Sequence, residues 1–459
     1  MKFQNFFLLV VSFFVASLPI LAVEKPDIVF ILADDLGSYD VSWRGSEIKT
    51  PNLDKLAMAG ARLENFYVQP VCSPTRASLM TGRYPMRYGL QVGVIRPWAK
   101  YGLPLEERML PQALREVGYT TAMCGKWHLG GFEKSYWPNA RGFDHWYGHL
   151  QGALDYFTHI RDGKLDWYRD GKLNNDEGYS TFLVGNEAAK IVRDQPRDKP
   201  LFLYVPFNAV HSPLEVPEKY KEPYPKLKGQ RQTYAAMVAA MDEMVGKIVA
   251  AVDETGRRKN TLFIFASDNG GPAPGRVTSN GPLRAGKGTV YEGGVHTCAF
   301  ATWDGHIKPG KINALSHMVD WYPTLLELTG ATLKQKLPLD GKNIWPCLTE
   351  SKPSPHEEIL CNASPNNGAI RVGDWKLVVN GNNRDSDEES PAGETKGKKK
   401  KKRQAASENN LELFNLAEDP SEKKNLASEK PEKLKELRAR YDAFAKAAVT
   451  PKNEGQKAQ

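Results

Sequence analysis

The chain has 459 residues, of which 41% are hydrophobic and 25% charged, a composition typical of globular proteins. This length accommodates one large α/β core and a smaller second unit. The formal net charge is +8, but the run from Lys396 to Arg403 supplies seven positive charges and leaves the remainder nearly neutral. We therefore expect no general polyanion-binding surface and no nucleic-acid partner.

The N-terminus combines Lys2, an apolar run and Leu21-Ala22 before the charged Glu24. This pattern predicts a secretory signal peptide over residues 1–22, and hence an exported protein that is periplasmic or secreted. An N-terminal membrane anchor is the alternative, although the run is short for a span and Pro19 lies near its end. We expect no stable membrane anchor in the mature chain.

Alternating strand and helix patterns predict an α/β sandwich over residues 23–354. Short apolar runs typical of a mostly parallel sheet predict four buried strands: Asp27–Ala33, Thr120–Cys124, Leu201–Phe207 and Leu262–Ala266. Helical spacing of apolar residues predicts three helices between them: Asn52–Gly60, Leu110–Gly118 and Gln232–Thr255.

The pattern changes near residue 355, where we predict a small antiparallel sheet with one helix, over residues 355–459. Ala369–Val379 is typical of a hairpin turning at Gly373-Asp374, Leu411–Leu416 of a strand, and Pro431–Ala448 of an amphipathic helix. Residues 385–410 are charged and poor in hydrophobic residues, which predicts a flexible insertion. Its lysine run is either a solvated loop or a polyanion-binding arm.

Each predicted strand of the large domain is followed by polar side chains: Asp34 and Asp35, Lys126 and His128, His211, and Asp268 and Asn269. Ligands of open α/β sheets bind beyond the carboxyl ends of the strands, so these residues are expected to converge. Three carboxylates in one crevice need a cation, and oxygen ligands suit calcium or magnesium rather than zinc. Ordinary helix caps or turns are the alternative for each acidic pair.

Cys72 precedes a predicted helix that ends at Gly82, with Ser73 as its cap and Pro74 at its first position. A helix N-terminus favours an anion, and Arg76 lies one turn further on. A buried structural cysteine is the alternative. Lys126, His128, His211 and Lys287 would each be ordinary surface or capping residues if considered alone.

The segment CSPTRASLMTG, from Cys72 to Gly82, resembles the C-x-P-x-R…L-x-T-G motif of the formylglycine-dependent sulfatases. GYTTAMCGKWHLG, from Gly118 to Gly130, resembles their second motif. Other stretches, including ADDLG, SDNGG and GDWKLV, are most similar to the arylsulfatase B branch, which acts on 4-sulfated N-acetylgalactosamine. The similarity covers nearly all of the mature chain.

This resemblance implies an alkaline-phosphatase-like α/β/α fold, and a maturation enzyme that oxidises Cys72 to formylglycine (3-oxoalanine). It assigns one Ca²⁺ per chain to Asp34, Asp35, Cys72, Asp268 and Asn269, and catalytic roles to Cys72, Arg76, Lys126, His128, His211 and Lys287. It implies a sulfated carbohydrate as substrate, and it assigns substrate binding to Asp155, Tyr156, His159 and Arg284. The segment Gly152–Arg161 matches the family only loosely, so ordinary loop roles remain the alternative for the first three.

Two other functions are compatible with the sequence. A phosphodiesterase or phosphonate monoester hydrolase can share this fold, because a fold does not determine a reaction. A non-catalytic carbohydrate-binding protein would result if Cys72 were never modified.

Overall fold

A computed structural model describes residues 25–365, 367–381 and 410–453. The predicted signal peptide and the lysine run lie outside these residues, and both stay predictions. Within the described residues, no helix has the length and apolar character needed to cross a membrane.

A mixed sheet of ten strands forms the centre of the large unit. Its strands are β1 (Asp27–Ala33), β2 (Ala61–Leu63), β3 (Thr120–Lys126), β4 (His145–His149), β5 (Tyr168–Arg169), β6 (Lys172–Leu173), β7 (Leu201–Pro206), β8 (Thr261–Ser267), β9 (Ala299–Thr302) and β10 (Gly310–Ile312). Their order is β10-β2-β9-β8-β1-β7-β3-β4-β5-β6. The five central strands, β8 to β4, run parallel and include all four predicted strands. Short two-stranded pairs, Phe66–Tyr67 with Ser316–His317 and Ile160–Arg161 with Lys164–Leu165, lie outside this sheet.

Helices cover both faces of this sheet. They are α1 (Pro51–Ala59), α2 (Cys72–Thr81), α3 (Leu110–Arg115), α4 (Ser180–Asp194), α5 (Gly229–Glu254), α6 (Glu292–Val295), α7 (Trp321–Thr329) and α8 (Trp345–Glu350). In β1, Val29 and Ile31 pack with α1, α4 and α5, whereas Phe30 and Leu32 pack with α2, α3 and α7. Alternate strand residues point to opposite faces, so a strand apolar throughout is buried on both sides. The predicted α/β/α sandwich is confirmed.

The chain ends in a four-stranded antiparallel sheet, β11 (Glu358–Ala363), β12 (Gly368–Val372), β13 (Trp375–Val379) and β14 (Leu411–Asn415), followed by α9 (Pro431–Lys446). The predicted hairpin turns where expected, because Trp375 pairs with Val372 across Gly373 and Asp374. Leu437 and Tyr441 of α9 pack on one face of the sheet. The other face packs against the large unit through Phe414 and Tyr291. The boundary at residue 354 itself stays a prediction.

Two glycines allow β3 and β4 to reach the carboxyl edge of the sheet. Gly125 has a φ of 129° and Gly148 a φ of 142°, and the two are paired across the strands. A Cβ atom on Gly125 would lie 2.0 Å from the carbonyl oxygen of Pro206. The next residue, Lys126, ends β3 and is fully buried. A side chain at position 125 would therefore push β3 away from β7 immediately before Lys126.

We expect Gly125→Ala to lower the free energy of unfolding by about 2–5 kcal/mol, combining positive-φ strain with overpacking. Gly118→Ala is the matched control, since Gly118 also has a positive φ, 93°, but no atom within 4 Å of its added Cβ. The control substitution should lower the free energy of unfolding by only about 1–2 kcal/mol. Thermal and denaturant unfolding measure both, and equal losses would contradict the close-approach argument.

Candidate active site

Helix α2 begins at Cys72 itself, and all ten of its residues are buried. The predictions that Ser73 caps this helix and that Pro74 is its first residue are wrong, since Val71 occupies the cap position without a side-chain cap and Pro74 is the third residue. The Ser73 hydroxyl instead donates to the carbonyl of His128 at 2.9 Å and accepts from the Ile95 N–H at 3.1 Å. The first turn of α2 is thereby fixed against two loops of the site.

The two strand-end acidic pairs meet at Cys72. Strands β1 and β8 are paired in register up to Ala33 and Ser267, so the residues that follow them emerge side by side. The Cys72 Sγ lies 3.4 Å from Oδ1 of Asp34 and 3.5 Å from Oδ1 of Asn269. Asp35, at a left-handed φ of 61°, turns the chain and accepts a 2.7 Å hydrogen bond from the Asn269 amide. The predicted convergence is present.

Arg76, Lys126 and Lys287 balance the three carboxylates. Arg76 donates to Asp268 at 2.8 Å and 3.1 Å and to the Lys126 carbonyl at 3.1 Å. Lys126 Nζ forms an ion pair with the carboxylate of Asp34, and Lys287 Nζ lies 2.8 Å from a carboxylate oxygen of Asp35. Asp34, Lys126 and Arg76 are fully buried. Opposite charges at hydrogen-bond distance offset the high cost of burying each one.

The pKa values of this cluster follow from burial and charge. Burial, with Asp268 and Asp34, raises the pKa of the Cys72 thiol well above its usual value. Burial also raises the pKa of Asp268. Burial alone would raise the pKa of Asp35, but Lys287 and His211 lower it below its usual range. An unmodified Cys72 is therefore a protonated thiol and a poor nucleophile.

The donor set fits an oxygen-ligated divalent cation. Ligand atoms of Asp34, Asp35, Cys72 and His211 all lie within 4.8 Å of one another. One oxygen of Asp268 accepts from Arg76 and the other from the Asp35 N–H at 3.3 Å, and its predicted role as a cation ligand stays a prediction. Carboxylate and amide oxygens favour calcium or magnesium. His211, which the sequence places after one of the predicted strands, is also a neighbour of the predicted ligands.

The two histidines have defined tautomers and low pKa values. His128 Nε2 is 3.1 Å from the Ile95 carbonyl and must donate to it, so Nδ1 carries the lone pair. His211 Nδ1 likewise donates to the Ser212 carbonyl at 2.6 Å, and its Nε2 lies 3.6 Å from Asp35. Burial and Lys126 lower the pKa of His128, while burial and Lys287 lower that of His211 to about 3.

A cleft of about 740 Å³ opens onto this cluster. Its deep end is lined by Asp35, Cys72, His128, His211 and Lys287. Loops around residues 93–97, 152–161, 210–221 and 272–277 line its outer part. The cationic residues of those loops could not be predicted from the sequence, because an isolated loop arginine has no characteristic spacing.

The three predicted sugar contacts of the 152–161 loop have local structural partners. Asp155 accepts the N–H groups of Phe157 and Thr158 at 3.0 Å and 2.7 Å. The Tyr156 hydroxyl donates to the carbonyls of Asn208 and His211. His159 is buried, bonds the Gly178 carbonyl and stacks on Trp167. The structure favours loop-forming roles for them, and Tyr156 positions the backbone of His211.

Arg284 does not line the cleft among the described residues, so the structure does not support its prediction as a substrate contact. Its guanidinium binds Glu412 at 3.1 Å and lies 3.8 Å from the ring centre of Tyr291. The ion pair with Glu412 ties this loop to the C-terminal sheet.

Comparisons with known proteins agree with this geometry. Residues 26–331 match the family model Sulfatase, and residues 354–458 match the model for the C-terminal region of aryl-sulfatase. Arylsulfatase J of Mus musculus is 40% identical over 93% of this chain and 77% of its own length. Arylsulfatase A of Homo sapiens is 35% identical over 91% and 87%. N-acetylgalactosamine-6-sulfatase of Homo sapiens is 32% identical over 72% and 67%.

Solved structures share the whole architecture. Ps i-CgsB in complex with k-i-k-neocarrahexaose has a TM-score of 0.81 at 31% identity and covers 93% of this chain and 94% of its own. The PsFucS1 sulfatase from Pseudoalteromonas sp. has a TM-score of 0.75 at 26% identity, with 92% and 90% covered. Both family models, the relatives and the buried cluster around Cys72 lead to one conclusion: the chain belongs to the sulfatase family and is a sulfuric ester hydrolase.

Proposed function

We propose that this enzyme is exported and removes sulfate from a carbohydrate, most specifically the 4-O-sulfate of galactose or N-acetylgalactosamine units in a sulfated polysaccharide. It uses formylglycine formed from Cys72 by a maturation enzyme, and one calcium ion. The observation that carries the proposal is the position of Cys72, which begins a buried helix and faces oxygens of Asp34 and Asn269. The predicted signal peptide supports export.

A cation and the formylglycine side chain would complete the site. Asp34, Asp35, Asp268, Asn269 and residue 72 would hold the cation, which would supply positive charge beside the sulfate group. Hydrated formylglycine supplies an oxygen nucleophile that can later release sulfate by returning to the aldehyde, which a serine or a thiol cannot do. The high pKa of the unmodified thiol supports the need for this modification.

The protein cations act on the sulfate group. Lys126 and Lys287 end at the Cys72 cluster, each bonded to one carboxylate. Their charge stabilises sulfate oxygens as negative charge shifts during bond breaking. Arg76 fixes Asp268 and the Lys126 backbone and so keeps this arrangement rigid. Little reorganisation is then needed at the moment of reaction.

The histidines move protons. His211 Nε2 would protonate the leaving sugar oxygen, since a sugar alcohol leaves poorly as an alkoxide. Its pKa of about 3 rises when an anionic ester binds beside it, because a nearby negative charge favours the imidazolium form. His128 Nδ1 has no hydrogen-bond partner among the described residues. Its lone pair is therefore placed to accept a proton from residue 72.

A sugar substrate fits both the cleft and the relatives. Ps i-CgsB was solved with a neocarrahexaose, and one curated relative is an N-acetylgalactosamine-6-sulfatase. These names include different sulfate positions, so the 4-position is supported by the resemblance of ADDLG, SDNGG and GDWKLV to the arylsulfatase B branch.

We expect the enzyme to release sulfate faster from 4-sulfated galactose or N-acetylgalactosamine saccharides than from 6-sulfated, N-sulfated or fucose-linked ones. Ion chromatography of free sulfate from a panel of defined saccharides measures this preference. Nitrophenyl phosphate diesters should turn over far more slowly than nitrophenyl sulfate. Release confined to 6-sulfated saccharides would reject the 4-position and leave the sulfatase activity standing.

We expect Cys72 of active enzyme to be formylglycine. Mass spectrometry of the peptide spanning Cys72–Gly82 detects the conversion directly. Cys72→Ala should abolish sulfate release, because no nucleophile remains, while the protein stays folded. A fully active preparation that contains only unmodified cysteine at this position would refute the assignment.

We expect one calcium ion per chain, and Asp34→Asn should lose it together with at least a hundredfold in activity, since removing one anion loosens a shared site. Asp242→Asn is the matched control. This buried carboxylate accepts N–H groups of Asn52 and Leu53 in the core, so its loss should lower stability and leave calcium bound. Elemental analysis after desalting measures the calcium bound per chain in the wild type and in each variant. Wild-type enzyme that is active without metal would contradict the prediction.

A further inference from the structure

A second network of buried charges lies where the C-terminal sheet meets α6. Lys376 of β13 is fully buried, and its Nζ lies 2.8 Å from Oε1 of Glu292 and 2.9 Å from Oε1 of Glu422. Glu292 begins α6, whereas Glu422 belongs to the segment between β14 and α9. Both carboxylates are buried as well. The network therefore joins the two units of the protein through ionic contacts that are closed to water.

Glu292 is the residue of this network with the most contacts to both units. The Tyr67 hydroxyl donates to its Oε2 at 2.7 Å, and His296 Nδ1 lies 2.9 Å from the same oxygen. The Tyr67 hydroxyl also accepts from Arg371 of β12. The Glu292 N–H donates to a carboxylate oxygen of Glu422 at 2.7 Å. These bonds hold the start of α6 at fixed distances from the C-terminal sheet.

The two carboxylates differ in charge state. Burial alone would raise the pKa of Glu292, but Lys376 and His296 lower it below its usual range. Burial raises the pKa of Glu422 to about 7 despite the nearby Lys376. Glu292 is therefore the permanent anion that pairs with Lys376, and a neutral side chain at position 422 is close to the native state.

Helix α6 also holds the loop that carries Lys287. The Gly293 N–H donates to the carbonyl of Arg284 at 2.8 Å, which closes the backbone on both sides of Lys287. The Gly294 carbonyl accepts the Gly270 N–H at 3.0 Å, just beyond the end of β8. Helix α6 therefore lies between the Lys287 loop and the carboxyl edge of the large sheet.

The contacts of α6 with this loop leave no space for a shift. A Cβ atom on Gly293 would lie 2.2 Å from the carbonyl oxygen of Ala285, and one on Gly294 would lie 2.1 Å from that of Thr289. The two backbones are thus in direct contact on both sides of Lys287. Any displacement of α6 must move the loop and the lysine with it.

The position of Lys287 matters for the reaction. Its Nζ lies 2.8 Å from Asp35 at the deep end of the cleft, where its charge would stabilise the sulfate oxygens. A misplacement of about 1 Å at a reacting centre can lower the rate about a hundredfold. Apolar packing is non-directional, whereas the charged bonds of Glu292 fix both distance and direction.

We propose that Glu292 is a positioning residue, through which the C-terminal sheet sets the location of α6 and hence of Lys287 in the cleft. Among the described residues, the lining of the cleft does not include Glu292, so it acts on sulfate release only through Lys287. It changes the rate of the reaction more than the affinity for substrate. This inference rests on the proposed role of Lys287 in sulfate release.

Glu292→Gln tests the ion pair while retaining the size of the side chain. Lys376 keeps Glu422 as its counter-charge, so the variant should fold. With 4-nitrophenyl sulfate and saturating calcium, kcat per formylglycine should fall at least tenfold, and KM should change less than threefold. Glu422→Gln is the matched control, because it leaves the Glu292 pair intact, and its kcat should stay within twofold of the wild type.

Unchanged kcat in Glu292→Gln, or equal losses in Glu292→Gln and Glu422→Gln, would overturn the proposal. Thermal unfolding shows whether each variant is folded at the assay temperature. If Glu292→Gln does not fold, Tyr67→Phe replaces it, because this change removes an uncharged donor to the same carboxylate. Its kcat should fall at least threefold, and an unchanged kcat would overturn the proposal equally.

A double-mutant cycle shows whether Glu292 acts through Lys287. In a Lys287→Ala background, Glu292→Gln should lower kcat less than twofold, because the group that it positions is gone. The same fold loss in both backgrounds would assign Glu292 a general structural role and overturn the proposal. A crystal structure of Glu292→Gln provides the direct readout: Lys287 Nζ should leave its 2.8 Å contact with Asp35, and an unmoved lysine would contradict the inference.

The outcomes separate this inference from the proposed function. If Lys287→Ala cleaves 4-nitrophenyl sulfate as fast as the wild type, the role of Lys287 in sulfate release fails, and the positioning role of Glu292 fails with it. If Lys287→Ala is slow but Glu292→Gln is not, the positioning role alone is rejected. An aryl sulfate is used throughout, so the result does not depend on which sugar the enzyme prefers.

Discussion

Three buried carboxylates and three cations at one edge of the sheet are the constraint on which this structure depends. Burying an isolated charge costs several kcal/mol, and removing one partner of a buried pair typically costs about 3–5 kcal/mol. The cations arrive on separate segments: Arg76 on α2, Lys126 at the end of β3, and Lys287 on a loop. Satisfying the carboxylates therefore fixes those three segments in relation to β1 and β8.

Much of this arrangement could be predicted because the strands are buried on both faces. Strand β1 is apolar from Ile28 to Ala33, so its C-terminal end and the start of the polar Asp34-Asp35 pair are visible in the sequence. Because the carboxyl ends of parallel strands meet at one edge of the sheet, the Asp34-Asp35 and Asp268-Asn269 pairs are predicted to lie close together. Ser73 was predicted wrongly because capping propensity is a local property. Its actual partners, Ile95 and the carbonyl of His128, are tertiary contacts that no local pattern shows.

The side chains that line the outer part of the cleft could not be predicted from the sequence for a related reason. The side chains of Asp155, Tyr156 and His159 are polar and belong to the 152–161 loop at the cleft, but their hydrogen bonds are made to backbone groups of the protein. Arg284 is predicted as a substrate contact by the family resemblance alone. The chain between them turns at Ala285, where φ is 59°, and Arg284 binds Glu412 of the terminal sheet. Side-chain direction in such loops depends on backbone conformations that composition does not reveal.

The burial of Cys72 limits when this residue can be modified relative to folding. Its side chain is 1% exposed and starts a helix of which every residue is buried. A small reagent can enter the cleft, but another protein cannot enclose a residue held inside α2. An enzyme that modifies Cys72, as proposed above, would have to act on the extended chain, before α2 packs against the sheet. Fast folding would then compete with the modification, and a chain that folded first would keep a buried thiol.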